Sequence, residues 1–169
     1  MALQTGPVSA AGSKLYIVDN AVLPANYDSS TGAYPIVSYE ALTYVEVGEI
    51  TEIPEFGTKR AINTVLTLGN RLARKSKGSQ DSGTVAIPML RVPSDAGQTI
   101  IQEAADSDNS YTFKVTLSDD YTPVTGHPTT FYFVGKVDGY PVNIGGVDGF
   151  VQSTVSIAID SAVSVSAAV

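Results

Sequence analysis

The sequence predicts one mainly β domain, sandwich- or barrel-like, with a single flanking helix, long loops and an arm at each end. Three observations carry that expectation. Most segments alternate apolar and polar residues with period two and are rich in β-branched and aromatic side chains. One segment alone has helical spacing and a capping residue. The length, 169 residues, suits one domain with a real core and is short for two.

From the start, residues 1–13 read as an N-terminal arm and "KLYIV" (14–18) as a short strand. Residues 19–40 carry Pro, Gly, Asn and Ser signals with little periodicity and predict a long loop holding Tyr27, Tyr34 and Tyr39. In "YVEVGEITEIPEFGTKR" (44–60), Val45 and Val47 share a parity that Ile50 breaks. A bulge at Gly48 restores it, putting Val45, Val47 and Ile50 on the core and Glu46, Glu49 and Thr51 on the outer face. "AINTVLTL" (61–68) is the next strand, and "GNRLARKSKGSQD" (69–81) a long basic loop. "TVAIPML" (84–90) follows, with Pro88 expected at an edge or a bulge because it lacks a ladder donor.

The helix is expected over about residues 94–106, with Ser94 as N-cap, Asp95 in the first turn, and Ala96, Ile100, Ile101, Ala104 and Ala105 on the buried side. "YTFKVTLSD" alternates Tyr111, Phe113, Val115 and Leu117 against Thr112, Lys114 and Thr116. "TTFYFVGKVDG" sets Phe131, Phe133 and Val137 against Tyr132, Val134 and Lys136, so its second face is partly apolar too. "FVQSTVSIAID" sets Val151, Val155, Ile157 and Ile159 against Gln152, Thr154 and Ser156. The last residues, 161–169, are small and apolar and read as a docking arm.

Composition narrows the function classes. There is no cysteine, hence no disulfide and no thiolate chemistry. No apolar run is long enough to span a membrane, and the N-terminus lacks the basic and apolar regions of a signal peptide, so cytoplasmic synthesis is expected. Net charge is −7, which disfavours tight nucleic-acid binding through phosphates. Six of the ten basic residues (Lys59, Arg60, Arg71, Arg74, Lys75 and Lys77) fall within nineteen residues that hold no acid. Everything else is strongly acidic, and a positive segment on such a chain has an obvious electrostatic partner in another copy of it.

No catalytic constellation emerges. The lone histidine, His127, sits in a Gly–His–Pro turn. The pair Asp119–Asp120 and the run 106–109 lack calcium-loop spacing, and "GGVDG" (145–149) is no phosphate cradle because no helix begins there. No enzyme activity, cofactor or metal is expected.

The order of elements from the acidic strand "EITEIPEFGTKR" through the helix "SDAGQTIIQEAAD" to "FVQSTVSIAI" resembles the major tail tube protein of long-tailed, non-contractile (siphovirus-type) bacteriophages and related tail-like particles, over roughly residues 40–160. That resemblance implies a tail tube fold and hexameric rings stacked into a tube. The tube would surround a tape-measure protein and later conduct double-stranded DNA without binding it specifically. Tail terminator and initiator proteins would be further partners, with no membrane involved, and the virion tail would be the destination. On this reading Glu46, Glu49 and Thr51 are candidates to line the channel, and the six clustered basic residues to bridge rings. Two rivals stand beside it. A monomeric β-sandwich binding carbohydrate or a cell surface could use the three loop tyrosines as a platform. Another β-type virion part, a decoration or terminator protein, would form one ring or trimer without stacking.

Overall fold

The computed structural model describes residues 7–119 and 126–168. Along them run β1 (Lys14–Val18), α1 (Ile36–Glu40), β2 (Tyr44–Val47), β3 (Lys59–Thr67), β4 (Asn70–Asp81), β5 (Thr84–Leu90), α2 (Ala96–Ala105), β6 (Tyr111–Thr116), β7 (Thr130–Gly139), β8 (Val142–Asn143), β9 (Gln152–Ile159) and β10 (Ser164–Ser166).

The main sheet is antiparallel, in the order β2-β1-β6-β7-β9-β5, with β10 also on β7 and β8 on β9. Its two outer strands, β2 and β5, are joined by the chain itself. After Val47 the backbone turns at Glu49, which has φ +57°, and Ile50 bridges Met89 on β5. The Leu90 amide donates to the Glu49 carbonyl (2.9 Å), and the Thr51 amide to the Pro88 carbonyl (3.1 Å). This crossing gives the sheet its curled, barrel-like form. The register break expected at Gly48 falls one residue later, at Glu49, and the strand ends at Val47 rather than continuing through the glutamates. Pro88 does lie on an outer strand and turns its carbonyl toward Thr51, so its missing N–H falls on the edge side, away from β9.

One face of the sheet packs on α2. Leu15, Ile17, Ile87, Met89, Ile101, Phe113, Phe133, Val155 and Ile157 are each 1% exposed or less, and the rings of Phe113 and Phe133 stack at 5.4 Å. Burial of each such side chain stabilises the fold by roughly 1.5–3 kcal/mol. The helix begins at Asp95 rather than Ser94, because the Asp95 carboxylate accepts the Gln98 amide at 2.8 Å. Its buried side is Gly97, Gln98, Ile100, Ile101 and Ala104. Ala96 is exposed and Ala105 only half-buried. Gly97 has no spare room, since a Cβ there would collide with the Glu46 carbonyl.

The opposite face accounts for the second apolar stripe of β7. Residues 19–40, expected as a long loop, contain the short helix α1 and fold over the sheet. Tyr39 is fully buried and stacks on Tyr132 at 5.1 Å, with Val134 completing the layer. Thr112, expected to face outward, lies beneath this cover and donates its hydroxyl to the Val22 carbonyl (3.1 Å). The C-terminal arm docks on its own domain. The Val134 amide donates to Ser161 Oγ (2.9 Å), β10 pairs with β7, and the Ala168 amide donates to Thr129 Oγ1 (3.1 Å).

Residues 69–81 are the largest departure from expectation. All but Gly69 form strand β4, not a loop, and pair with β3 as a separate two-stranded sheet with register shifts between Arg60 and Ile62 and between Val65 and Thr67. The segment shows no strand alternation because a two-stranded ribbon with no core face need not alternate polar with apolar residues.

Candidate assembly surfaces

The glutamates follow the crossing from one sheet edge to the other, and they are not equivalent. Glu46 lies in register with Tyr16 on β1, and its carboxylate meets Lys14 at 2.9 Å. The hydrogen bond and charge of Glu46 raise the pKa of Lys14. Glu55 meets Lys59 at 2.8 Å, whose hydrogen bond and charge lower the pKa of the carboxyl. Both pairs are exposed and each contributes little to stability. Among the described residues Glu49 and Glu52 have no ion-pair partner, so the unneutralised charge of the strip rests on them. Thr51 is exposed, and its hydroxyl donates to the Pro88 carbonyl (3.0 Å).

The basic cluster belongs to the β3–β4 hairpin. Arg60 donates to Gln80 Oε1 (3.0 Å). Lys75 and Lys77 lie opposite Thr64 and Ile62 on one face, while Arg74 lies opposite Val65 on the other; Arg71 occupies the same strand, next to the tip. Among the described residues Arg74, Lys75 and Lys77 have no ion-pair partner. The hairpin also exposes aliphatic side chains that composition alone hides. Ile62, Val65, Leu66, Leu68 and Leu72 are all more than half exposed. A second exposed apolar set, Ile144, Val147 and Phe150, occupies the glycine-containing connection after β8.

A groove of about 920 Å³ runs under residues 50–58. Val8 of the N-terminal arm, Phe56, Leu117, Phe131 and Val165 are among its lining residues, and so are Glu52 and Glu55, whose exposure sets them at its rim. Phe56 packs edge-on against Phe131 at 5.6 Å.

The tyrosines do not form an open platform. Tyr27 and Tyr34 meet at 5.0 Å, Tyr34 and Tyr39 edge-on at 5.8 Å, and Tyr39 is stacked beneath. Tyr39 is buried and Tyr34 partly so, while Tyr27 stays 53% exposed. Next to this ladder the Lys114 ammonium lies 4.3 Å from the Tyr16 ring centre and 4.7 Å from that of Tyr44, and burial lowers its pKa.

The polar residues weighed above for chemistry are engaged locally. His127 bonds the Pro128 carbonyl through Nδ1 (3.2 Å) and approaches Ser166 through Nε2 (3.5 Å). Asp119 accepts the Thr129 amide at 2.9 Å, and Asp120 lies outside the described residues. Among the described residues no group of three or more His, Cys, Asp or Glu is placed to hold a metal ion, and no helix is long and apolar enough to cross a membrane.

No protein-family model matches the chain, and no curated protein matches its sequence. Solved structures do match its fold. A chain of the six-fold symmetrised baseplate of the anti-feeding prophage (AFP) aligns at TM-score 0.66 and 7% identity, covering 97% of this chain and 98% of that one. The SPP1 tail tube protein aligns at TM-score 0.58 and 14% identity, covering 95% and 81%. The chain therefore has the tail tube fold, and the likeness extends beyond residues 40–160 to take in the N-terminal strand and the 19–40 cover.

Proposed function

We propose that the chain is a structural subunit of a phage-type tail, which self-assembles into hexameric rings that stack into a tube and conduct DNA. The observation that carries this reading is the basic, aliphatic hairpin. It packs chiefly on itself and belongs to an acidic domain whose fold matches tail tube and baseplate proteins over nearly its whole length. Contacts of one surface with a different surface of the next copy propagate and do not end at a dimer. The basic side chains would bridge rings, lowering repulsion between subunits that each carry −7. Glu49, with Glu46 and Thr51, would face the channel, where negative charge repels phosphate and lets DNA slide. Because Lys14 neutralises Glu46, Glu49 would supply most of that repulsion. A tape-measure protein inside the tube and terminator or initiator proteins at its ends belong to the same proposal, with the virion tail as the site of action and no catalysis.

One alternative has an observation behind it. The match to a baseplate chain supports a single ring at the end of a tube in place of the repeating tube wall. Sedimentation velocity over rising protein concentration separates the readings. Continuous growth beyond one ring supports the tube, a plateau at the mass of one ring supports the baseplate role, and a strict monomer contradicts both.

A further inference from the structure

We propose that the groove under residues 50–58 is the seat for the β3–β4 hairpin tip of a second copy of this chain. The inference rests on the self-assembly reading above and assigns the receiving surface within it. The groove is apolar inside and acidic at the rim; the hairpin is aliphatic at its tip and basic along its length. Leu66 is 69% exposed and Leu68 fully exposed, side chains that a groove walled by Phe56, Phe131 and Val165 would remove from water. Arg74, Lys75 and Lys77 would then approach Glu52 and Glu55. Glu52 has no ion-pair partner among the described residues, and Glu55 is held only by an exposed pair with Lys59, a contact weak enough to exchange.

The geometry points to another copy, not to the same chain. The wall of the groove runs directly into β3 at Lys59, and the nine residues of β3 carry the tip roughly 30 Å from that root at the rise of an extended strand. β3 and β4 pack chiefly on each other. The other exposed apolar segment, with Ile144, Val147 and Phe150, carries Asp148 and no base, so charge disfavours it at an acidic rim.

The chain has no cysteine, so disulfide trapping reads the contact cleanly. Untagged Leu68→Cys and tagged Val165→Cys proteins would be mixed under assembly conditions and oxidised, with Leu66→Cys as a second tip variant. A bond requires the two Cβ atoms within about 4.5 Å. The expected result is conversion of up to about half of the mixture to tagged–untagged dimers, the limit set by random one-to-one mixing of head-to-tail contacts, with no such band when Val147→Cys replaces the tip variant. Polymers that form without the tip–groove band overturn this inference and leave the assembly reading standing. Neither polymer nor band overturns both. A band with Val147→Cys alone moves the occupant to the 142–151 segment, and an intramolecular disulfide in an Ala2→Cys, Val165→Cys double variant gives the groove to the chain's own first residues; either result sinks the proposal.

Discussion

The side-chain amide of Gln98 donates to the carbonyl of Gly48 at 3.2 Å and to that of Leu90 at 2.9 Å, tying α2 to both ends of the crossing that links the outer strands. Its carbonyl oxygen in turn accepts from the Val92 amide (3.0 Å) and the Tyr140 hydroxyl (3.1 Å). Gln98 is 4% exposed; of the groups it engages, the Tyr140 hydroxyl also meets Met89 Sδ at 3.7 Å. Gln98→Leu should cost about 3 kcal/mol, the effect of leaving several partly buried polar groups without this partner. Urea denaturation measures this, and a loss below about 1 kcal/mol would mean that water or a rearranged backbone replaces the amide.

Gly97→Ala tests the same junction by volume. The added methyl would meet the Glu46 carbonyl, backbone that cannot turn aside, and overpacking of this kind costs typically about 1–3 kcal/mol. A melting temperature equal to that of the parent would show that α2 can lift away from β2.

Arg74→Glu combined with Lys75→Glu reverses charge on both faces of the hairpin. Ring stacking should be lost while the circular dichroism spectrum and melting temperature of the monomer stay unchanged, because neither side chain has an ion-pair partner among the described residues of its own chain. Full-length tubes from this variant would remove the hairpin from the stacking contact.

Glu46→Lys with Glu49→Lys should permit tubes but make them retain double-stranded DNA at low salt and release it as salt rises. Tubes that retain no more DNA than the parent would place the channel wall elsewhere.

Alkaline pH should weaken the fold. Burial raises the pKa of Tyr34, Tyr39, Tyr44 and Tyr132 above the ordinary value of 10.0. Above that value the unfolded chain loses protons that the folded chain keeps, so stability falls as pH rises. Lys114, lowered by burial, acts in the opposite sense, since its stabilising contribution grows toward 10.5, but it is one group against four. Melting temperature followed through the alkaline range should decline once pH passes 10.0, and a rise would show that Lys114 dominates.

Much of the fold is legible in the sequence. The strands over 111–116 and 152–159 pack one face on a deep core, and their sequences alternate with a period of two. The helix is legible because Ile100, Ile101 and Ala104 share one buried side. The elements that cannot be read this way lack a core-facing pattern. β4 exposes most of its described residues, α1 has only five residues, and the left-handed turn falls on Glu49, where a glycine is the natural choice. The surfaces are half legible. Clustering of the basic residues marks the hairpin, whereas the groove is built from Val8, Phe56, Phe131 and Val165, far apart in the chain and silent until it folds.

Whether copies of this chain build a tube is decided by negative-stain electron microscopy of the purified protein over rising concentration and salt. Rings of sixfold symmetry, and hollow tubes built by stacking them, are the expected particles. Particles that stay monomeric throughout, or close into one ring that never stacks, would contradict the tube.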